Sequence, residues 1–333
     1  MKNCAKAIFV IIGTIIGAGF ASGQEIYSFF NIYGENGIIG ITIASSILGV
    51  VIFNVLKKAN KLNINTYMEL LKSTKISNRL IQIINIVINI FLLISFYIMV
   101  AGFVAYFKQE FNVPNILTAI LVLIIAYMTF MRNIEGIAKI NSVIIPVLIF
   151  IVFIIGYKVD IFSSINNIDM ENIQIKTNWI LRSIEYAGYN SILLIPILIS
   201  IKDYTKNNEK KISIITTGIF FILSIIIYFA MFKFKEVGSI EIPLIYIASK
   251  YGFIFKYTYG LVIIFAIYTT MISAGYGFLK NCTKSDKQYK LFATIICITA
   301  IFISNFSFSG LVNLTYPVFG ILGTIKLFFL LRY

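Results

Sequence analysis

Long apolar runs separated by short polar connections dominate the chain. A helix needs about 20 mainly apolar residues to cross a bilayer. A window of that length finds ten candidate spans: 6–30, 36–56, 80–107, 114–130, 141–157, 179–201, 212–232, 253–279, 288–305 and 308–331. The connections reach only about 20 residues, too few for a water-soluble domain. The first run continues through Phe29 and Phe30 with no clear small-residue cleavage site, so it reads as a span and not as a removed signal peptide. Two connections read as helices that do not cross. Residues 64–80 (INTYMELLKSTKISNRL) are amphipathic and cationic, which suits an inner interfacial helix, and residues 239–250 (SIEIPLIYIASK) lie outside, with Pro243 placed to open a short helix. An ordinary loop is the alternative for each, and an outer helix packed over a cavity would be a lid.

Composition agrees. The 333 residues are 59% hydrophobic and 13% charged, about half the charge of a soluble fold, with mean hydropathy +0.91. Histidine is absent, which excludes histidine acid–base chemistry and histidine-ligated metal. Cys4, Cys282 and Cys297 share no metal-like spacing. No cofactor is expected, and no enzyme activity. The net charge of +14 is a topology signal and not a nucleic-acid one, because most of the Lys and Arg fall on one side of the alternating spans. That asymmetry places both termini in the cytoplasm. The Ile-, Lys- and Asn-rich usage points to a bacterial plasma membrane, with lipid and a small-molecule substrate as partners. No G-x-x-x-x-G-K-[ST] motif is present to power an ATP-driven pump.

Two spans break the apolar rule. The first, IIGTIIGAGFASGQEIYSFF, packs Gly13, Gly17, Gly19 and Gly23 ahead of Gln24 and Glu25. Each glycine weakens a helix by about 1 kcal/mol relative to alanine, and a charge at mid-bilayer costs about 2.5–3.5 kcal/mol. Close packing through small-xxx-small contacts is the alternative use of these glycines, but it leaves Gln24 and Glu25 unexplained. The sixth span, WILRSIEYAGYNSILLIPILIS, has Ala187-Gly188 followed by Tyr189, Asn190 and Ser191, with Pro196 beyond. Paired interruptions at matching positions point to a transporter site at two helix breaks. The expected fold is therefore an all-α integral membrane domain of ten transmembrane helices. It forms a single unit over 1–333, a five-plus-five inverted repeat with halves 1–157 and 175–333, and helices one and six broken at the midplane. Glu25, Arg182 and Glu185 then fall on the outer side of the site, as a charged gate; an Arg182–Glu185 pair at the interface is the alternative.

The run GTIIGAGFASGQE, followed by YGENGIIG, resembles the YkvI-like membrane proteins of the amino acid–polyamine–organocation superfamily. That resemblance implies a LeuT-type fold. Sodium-coupled members hold the ion with carbonyls at the first break and with a carbonyl and adjacent hydroxyls of span eight. The matching positions are Gly13, Ile16, Ala266, Thr269 and Thr270, and back-bonding of the threonines to their own helix is the alternative. Span five (NSVIIPVLIFIVFIIGY) has no basic residue to take the ion's place, and Thr14 stands where relatives with a second sodium site carry Asn. Substrate would meet Gly17, Ala18 and Gly19, with Tyr186, Gly188, Tyr189 and Asn190. Tyr97, Asn85, Asn89 and Ser95 of span three and Tyr268 of span eight are further candidates, against interhelical hydrogen bonding as their alternative role.

These readings converge on a secondary active transporter of a small organic solute, an amino acid among the candidates, sodium-coupled and working by alternating access. A ligand-sensing subunit resembling germinant receptors, with little or no net transport, is the second reading.

Overall fold

A computed structural model describes residues 2–74, 77–132, 135–160 and 178–331. Every regular element in them is helical: α1 (Lys2–Ile15), α2 (Ala18–Ser22), α3 (Gln24–Phe29), α4 (Asn36–Lys61), α5 (Tyr67–Ser73), α6 (Asn78–Phe111), α7 (Asn115–Phe130), α8 (Glu135–Val159), α9 (Trp179–Ser200), α10 (Glu209–Lys233), α11 (Pro243–Ser249), α12 (Phe253–Cys282), α13 (Asp286–Ile303) and α14 (Phe308–Leu331).

Six of these helices are long and apolar enough to cross a membrane: α4, α6, α9, α10, α12 and α14. The chain is thus an all-α multi-pass membrane protein, but the ten-span, five-plus-five inverted repeat expected from the sequence is not supported. The reasons are physical. The first run is not one helix, and its apolar helical stretch, Cys4–Ile15, ends before Gly17, Gly19 and Gly23. α7 has 16 residues, a rise of about 24 Å against a hydrocarbon core of about 30 Å. Among the described residues the apolar stretch of α8 is Val143–Val159, and α13 opens with Asp286, Lys287 and Lys290. The expected start of the second half, at 175, lies outside the described residues.

α9 is the centre of the molecule. In its most apolar 18-residue stretch 72% is buried, against 39–50% in the other five long helices. It packs along α4 and α14, α4 packs on α10, and α6 lies along α12 with α7 and α13 beside them. The outward faces are also apolar. On α7, Ile116, Leu117, Ile120, Leu121, Ile124 and Ile125 form one exposed stripe, as hydrocarbon contact requires.

The sixth span was expected to break and does not: α9 is one helix from Trp179 to Ser200. Its glycine has the other use. A side chain at Gly188 would run into the Gly320 carbonyl and the backbone of Thr324, and one at Gly323 would meet the Gly188 carbonyl. Two backbones therefore touch where α9 crosses α14, as small residues allow in membranes. The polar residues beside it bond within the helix, Ser191 Oγ to the Gly188 carbonyl at 2.6 Å and Asn190 Nδ2 to the Tyr186 carbonyl at 3.0 Å.

Both non-crossing segments contain helices. Within 64–80, α5 is capped by Thr66, whose hydroxyl accepts from Glu69 N, while the Glu69 carboxylate accepts from Asn65 N at 2.8 Å. Residues 75–76 of that segment lie outside the described residues. These hydrogen bonds, that from Asn65 first, hold the Glu69 carboxyl below its ordinary pKa. α11 opens with Pro243 at its first turn.

Candidate functional site

The first run is interrupted twice. The helical bonding of α1 ends with Ile16 N to the Ile12 carbonyl, and Gly17 is extended (φ −82°, ψ −172°). After the short α2, Gly23 adopts φ 87°, the left-handed region that favours glycine. A Cβ there would also strike Met231 and Leu244, so α10 and α11 close directly over this turn. A Cβ on Gly17 would meet no atom within 4 Å, so the first interruption borders open space.

Side chains from within the run and from beyond it hold it in place. Tyr259 Oη of α12 donates to the Ala21 carbonyl at 2.6 Å, and Ser22 Oγ donates to the Gly19 carbonyl at 2.8 Å. Further along, Asn31 Nδ2 donates to the Tyr228 carbonyl at 2.9 Å, and Tyr228 Oη to the Gly34 carbonyl at 2.6 Å. Irregular backbone at membrane depth needs such partners.

Glu25 lies in the interior, 2% exposed. Its carboxylate rests on the α-carbon of Gly19, where any larger residue would collide with it. It faces the phenols of Tyr186 and Tyr189, with Tyr316 of α14 in electrostatic reach. Glu25 Oε2 and Tyr186 Oη are both buried without a hydrogen-bond partner. Aromatic rings wall the group in: Phe29 stacks on Tyr189 at 5.9 Å between centroids, Tyr189 on Tyr316 at 4.6 Å, and Tyr186 meets Phe29 edge-on at 5.2 Å. Gly19, Tyr186 and Tyr189 lie together around the Glu25 carboxylate, with Gly17 and Ala18 leading into the break. Tyr316 and Phe29 join them with no distinguishing signal in the sequence.

Other expected members sit elsewhere. Tyr97 Oη pairs with Thr299 Oγ1 of α13 at 2.7 Å, and Tyr268 Oη with Thr129 Oγ1 of α7 at 2.6 Å, so both tie helices together. Gly188 faces α14, and the Asn190 amide is spent on its own helix. Asn85 Nδ2 reaches Met68 Sδ, Asn89 Oδ1 accepts from Asn281, and Ser95 is buried in α6. Of the three charged residues assigned to one gate, two are directly paired. Arg182 pairs with Glu185 at 3.0 Å and donates from Nε to Tyr33 Oη at 3.2 Å, but no ion pair joins it to Glu25. Tyr33, which the sequence reading passed over, connects that pair to the end of the first run.

The expected sodium donors come from two elements, the end of α1 and the middle of α12. Thr269 Oγ1 donates to the Ala266 carbonyl at 3.2 Å, both residues buried, and Thr270 is half-buried. Gly13 and Ile16 lie where the α1 carbonyls run out of helical donors. A further cation lies in the interior. Lys326, expected among the inner-face lysines, is buried in α14, donating to the Ser191 carbonyl at 3.0 Å beneath the Tyr67 ring.

No family model matches the chain. Two Bacillus subtilis (strain 168) proteins are similar over nearly its whole length. The membrane protein YkvI is 24% identical over 322 residues, 96% of this chain and 92% of that protein, and YyaD is 26% identical over 336 residues, 98% and 96%. The chain is a distant relative of both. Among solved structures, a sodium-coupled sialic acid symporter in a substrate-bound outward-open state aligns with a TM-score of 0.58 at 16% identity, over 95% of this chain and 78% of its own. A mutant Eremococcus coleocola manganese transporter aligns with a TM-score of 0.59 at 13% identity, over 95% and 76%. The chain therefore shares a transporter-like fold, and the narrower superfamily assignment read from the sequence is not established by these similarities.

Proposed function

We propose that this protein is a secondary active transporter that carries a small organic solute by alternating access, driven by sodium. The observation that carries the reading is the Glu25 carboxylate, buried at an interruption of the helical backbone with one oxygen unpartnered. A buried carboxylate costs several kcal/mol unless a positive charge, a proton or a full set of donors compensates it. A carrier uses such a group because its compensation changes during the cycle, whereas a protein built only to span the membrane would avoid it.

In this reading the solute enters beside Gly17 and contacts Gly17, Ala18 and Gly19, with Tyr186 and Tyr189 on the opposite wall. The oxygens of Gly13, Ile16, Ala266, Thr269 and Thr270 form the sodium donor set, and Glu25 supplies the fixed negative charge. Neutral carbonyl and hydroxyl oxygens suit a hard monovalent cation. Among the described residues no group of three or more His, Cys, Asp or Glu stands together, so ligands for a divalent metal cargo are not gathered. The Arg182–Glu185 pair, linked through Tyr33, serves as an outer contact that parts when the first run moves. The two transporters of similar fold support the class of function, not the solute.

The test is uptake by proteoliposomes containing the purified protein, screened over amino acids and other small organic solutes. Accumulation that collapses when choline replaces external sodium is expected. Accumulation unchanged in choline would refute the sodium assignment, and ligand binding with no accumulation of any bound solute would refute transport.

A further inference from the structure

The molecule carries a second built site, away from the break. A cavity of about 910 Å³ opens between the last turns of α4 and the beginning of α10. Lys57 and Lys61 stand on one wall and Lys206, Lys210 and Lys211 on the other, all exposed. Lys57 rests over the Phe53 ring, and among the described residues none of the five forms an ion pair. The one acid in the groove, Glu209, has its Oε1 engaged by Asn60 Nδ2 at 2.6 Å and by Asn207 N at 3.2 Å. Those bonds tie the loop to α4, and Ser213 Oγ adds another to the Gly49 carbonyl at 2.7 Å, so the walls are fixed to one another.

Towards the middle of α10 the character changes. Ile214 and Ile215 continue the groove one turn beyond the lysines, 60% and 36% exposed, with Phe53 opposite. A concentration of ammonium groups at a helix end that gives way to an apolar floor matches one kind of molecule, which has an anionic head and hydrocarbon tails. We propose that this groove binds an anionic phospholipid, with its phosphate among the five lysines and an acyl chain along Phe53, Ile214 and Ile215. A free phosphate would use the lysines but leave the apolar floor unoccupied. Basic pockets between membrane helices recognise lipid headgroups in this way, and each lysine near an anionic surface is worth roughly fivefold in affinity.

The proposal does not depend on the transport reading and can be tested without a known solute. Purified full-length protein, delipidated in detergent, would be titrated with phosphatidylglycerol and phosphatidylcholine of identical acyl chains and its lipid adducts counted by native mass spectrometry. A preference of at least about tenfold for phosphatidylglycerol is expected. Replacing Lys206, Lys210 and Lys211 together by Gln should reduce it to within about threefold. A control variant, Lys284→Gln/Lys287→Gln/Lys290→Gln, removes the same charge near the start of α13 and should preserve the preference. Equal losses in both variants, or no loss in the groove variant, would overturn the site. Displacement of phosphatidylglycerol by equimolar inorganic phosphate would overturn the lipid assignment.

Discussion

The carboxylate of Glu25 lies on the α-carbon of Gly19, in the space that any other residue would fill with its Cβ. The glycine therefore makes room for a buried carboxylate. Gly19→Ala supplies the test, because its two effects on stability oppose each other. Alanine favours the short helix by about 1 kcal/mol. The clash falls on the flexible end of Glu25, which is able to swing away. The expected outcome is a folded protein with a melting temperature close to wild type and uptake reduced at least tenfold, measured in proteoliposomes. Unchanged uptake would show that the position of Glu25 does not matter.

Substitutions where α9 meets α14 should behave in the opposite way. The atoms that a side chain at Gly188 or Gly323 would strike include main-chain atoms, which have little freedom to move. Gly323→Val should destabilise the protein by about 1–3 kcal/mol or more, seen as early loss of the monodisperse peak in heated detergent samples. A melting temperature within error of wild type would mean that the helices do not cross as closely as described.

The Arg182–Glu185 pair predicts an asymmetry. Glu185 is buried, with 4% of its side chain exposed, whereas Arg182 retains 33%. Arg182→Gln leaves a buried carboxylate without its partner, at a cost of about 1–3 kcal/mol. Glu185→Gln releases an arginine that still reaches solvent and Tyr33, and should cost less. Thermal unfolding of the two variants and of the double variant, with the double variant more stable than Arg182→Gln alone, checks this ordering.

Tyr97→Phe and Tyr268→Phe each delete one interhelical hydrogen bond, to Thr299 and Thr129 respectively. Each should cost about 0.5–1.5 kcal/mol of stability. Apparent affinity for the transported solute should stay unchanged, since neither hydroxyl faces the break. A raised KM with unchanged stability would return these residues to the binding site.

The break in the first run was legible because glycines and a carboxylate interrupt a segment that should otherwise be apolar. The same reasoning misreads the sixth span. Gly188 looks like a helix breaker until its partners are known, and those partners, Gly320 and Gly323, belong to a stretch more than a hundred residues away. A glycine permits both an interruption and a close crossing, and only tertiary context decides between them. The count of ten spans has a similar origin: a hydropathy window registers apolar residues but not the end of α1 before Gly17 or the charged start of α13. Tyr316 escapes because one tyrosine in an apolar run carries no pattern. Lys326 is counted with the surface lysines because its burial depends on Ser191 and Tyr67, remote in sequence.

The central claim is that Glu25, held at an interrupted helix, responds to the coupling cation of a carrier. Thermal unfolding of wild type and Glu25→Gln, with candidate solutes in sodium and in choline, tests it most directly. A ligand at a hundredfold excess over its dissociation constant stabilises the bound state by about 2.7 kcal/mol, a readily measured shift. The account predicts a solute whose stabilisation of the wild type is greater in sodium, and a Glu25→Gln protein that folds but has lost the sodium dependence. An identical sodium-dependent shift in the two proteins would contradict it.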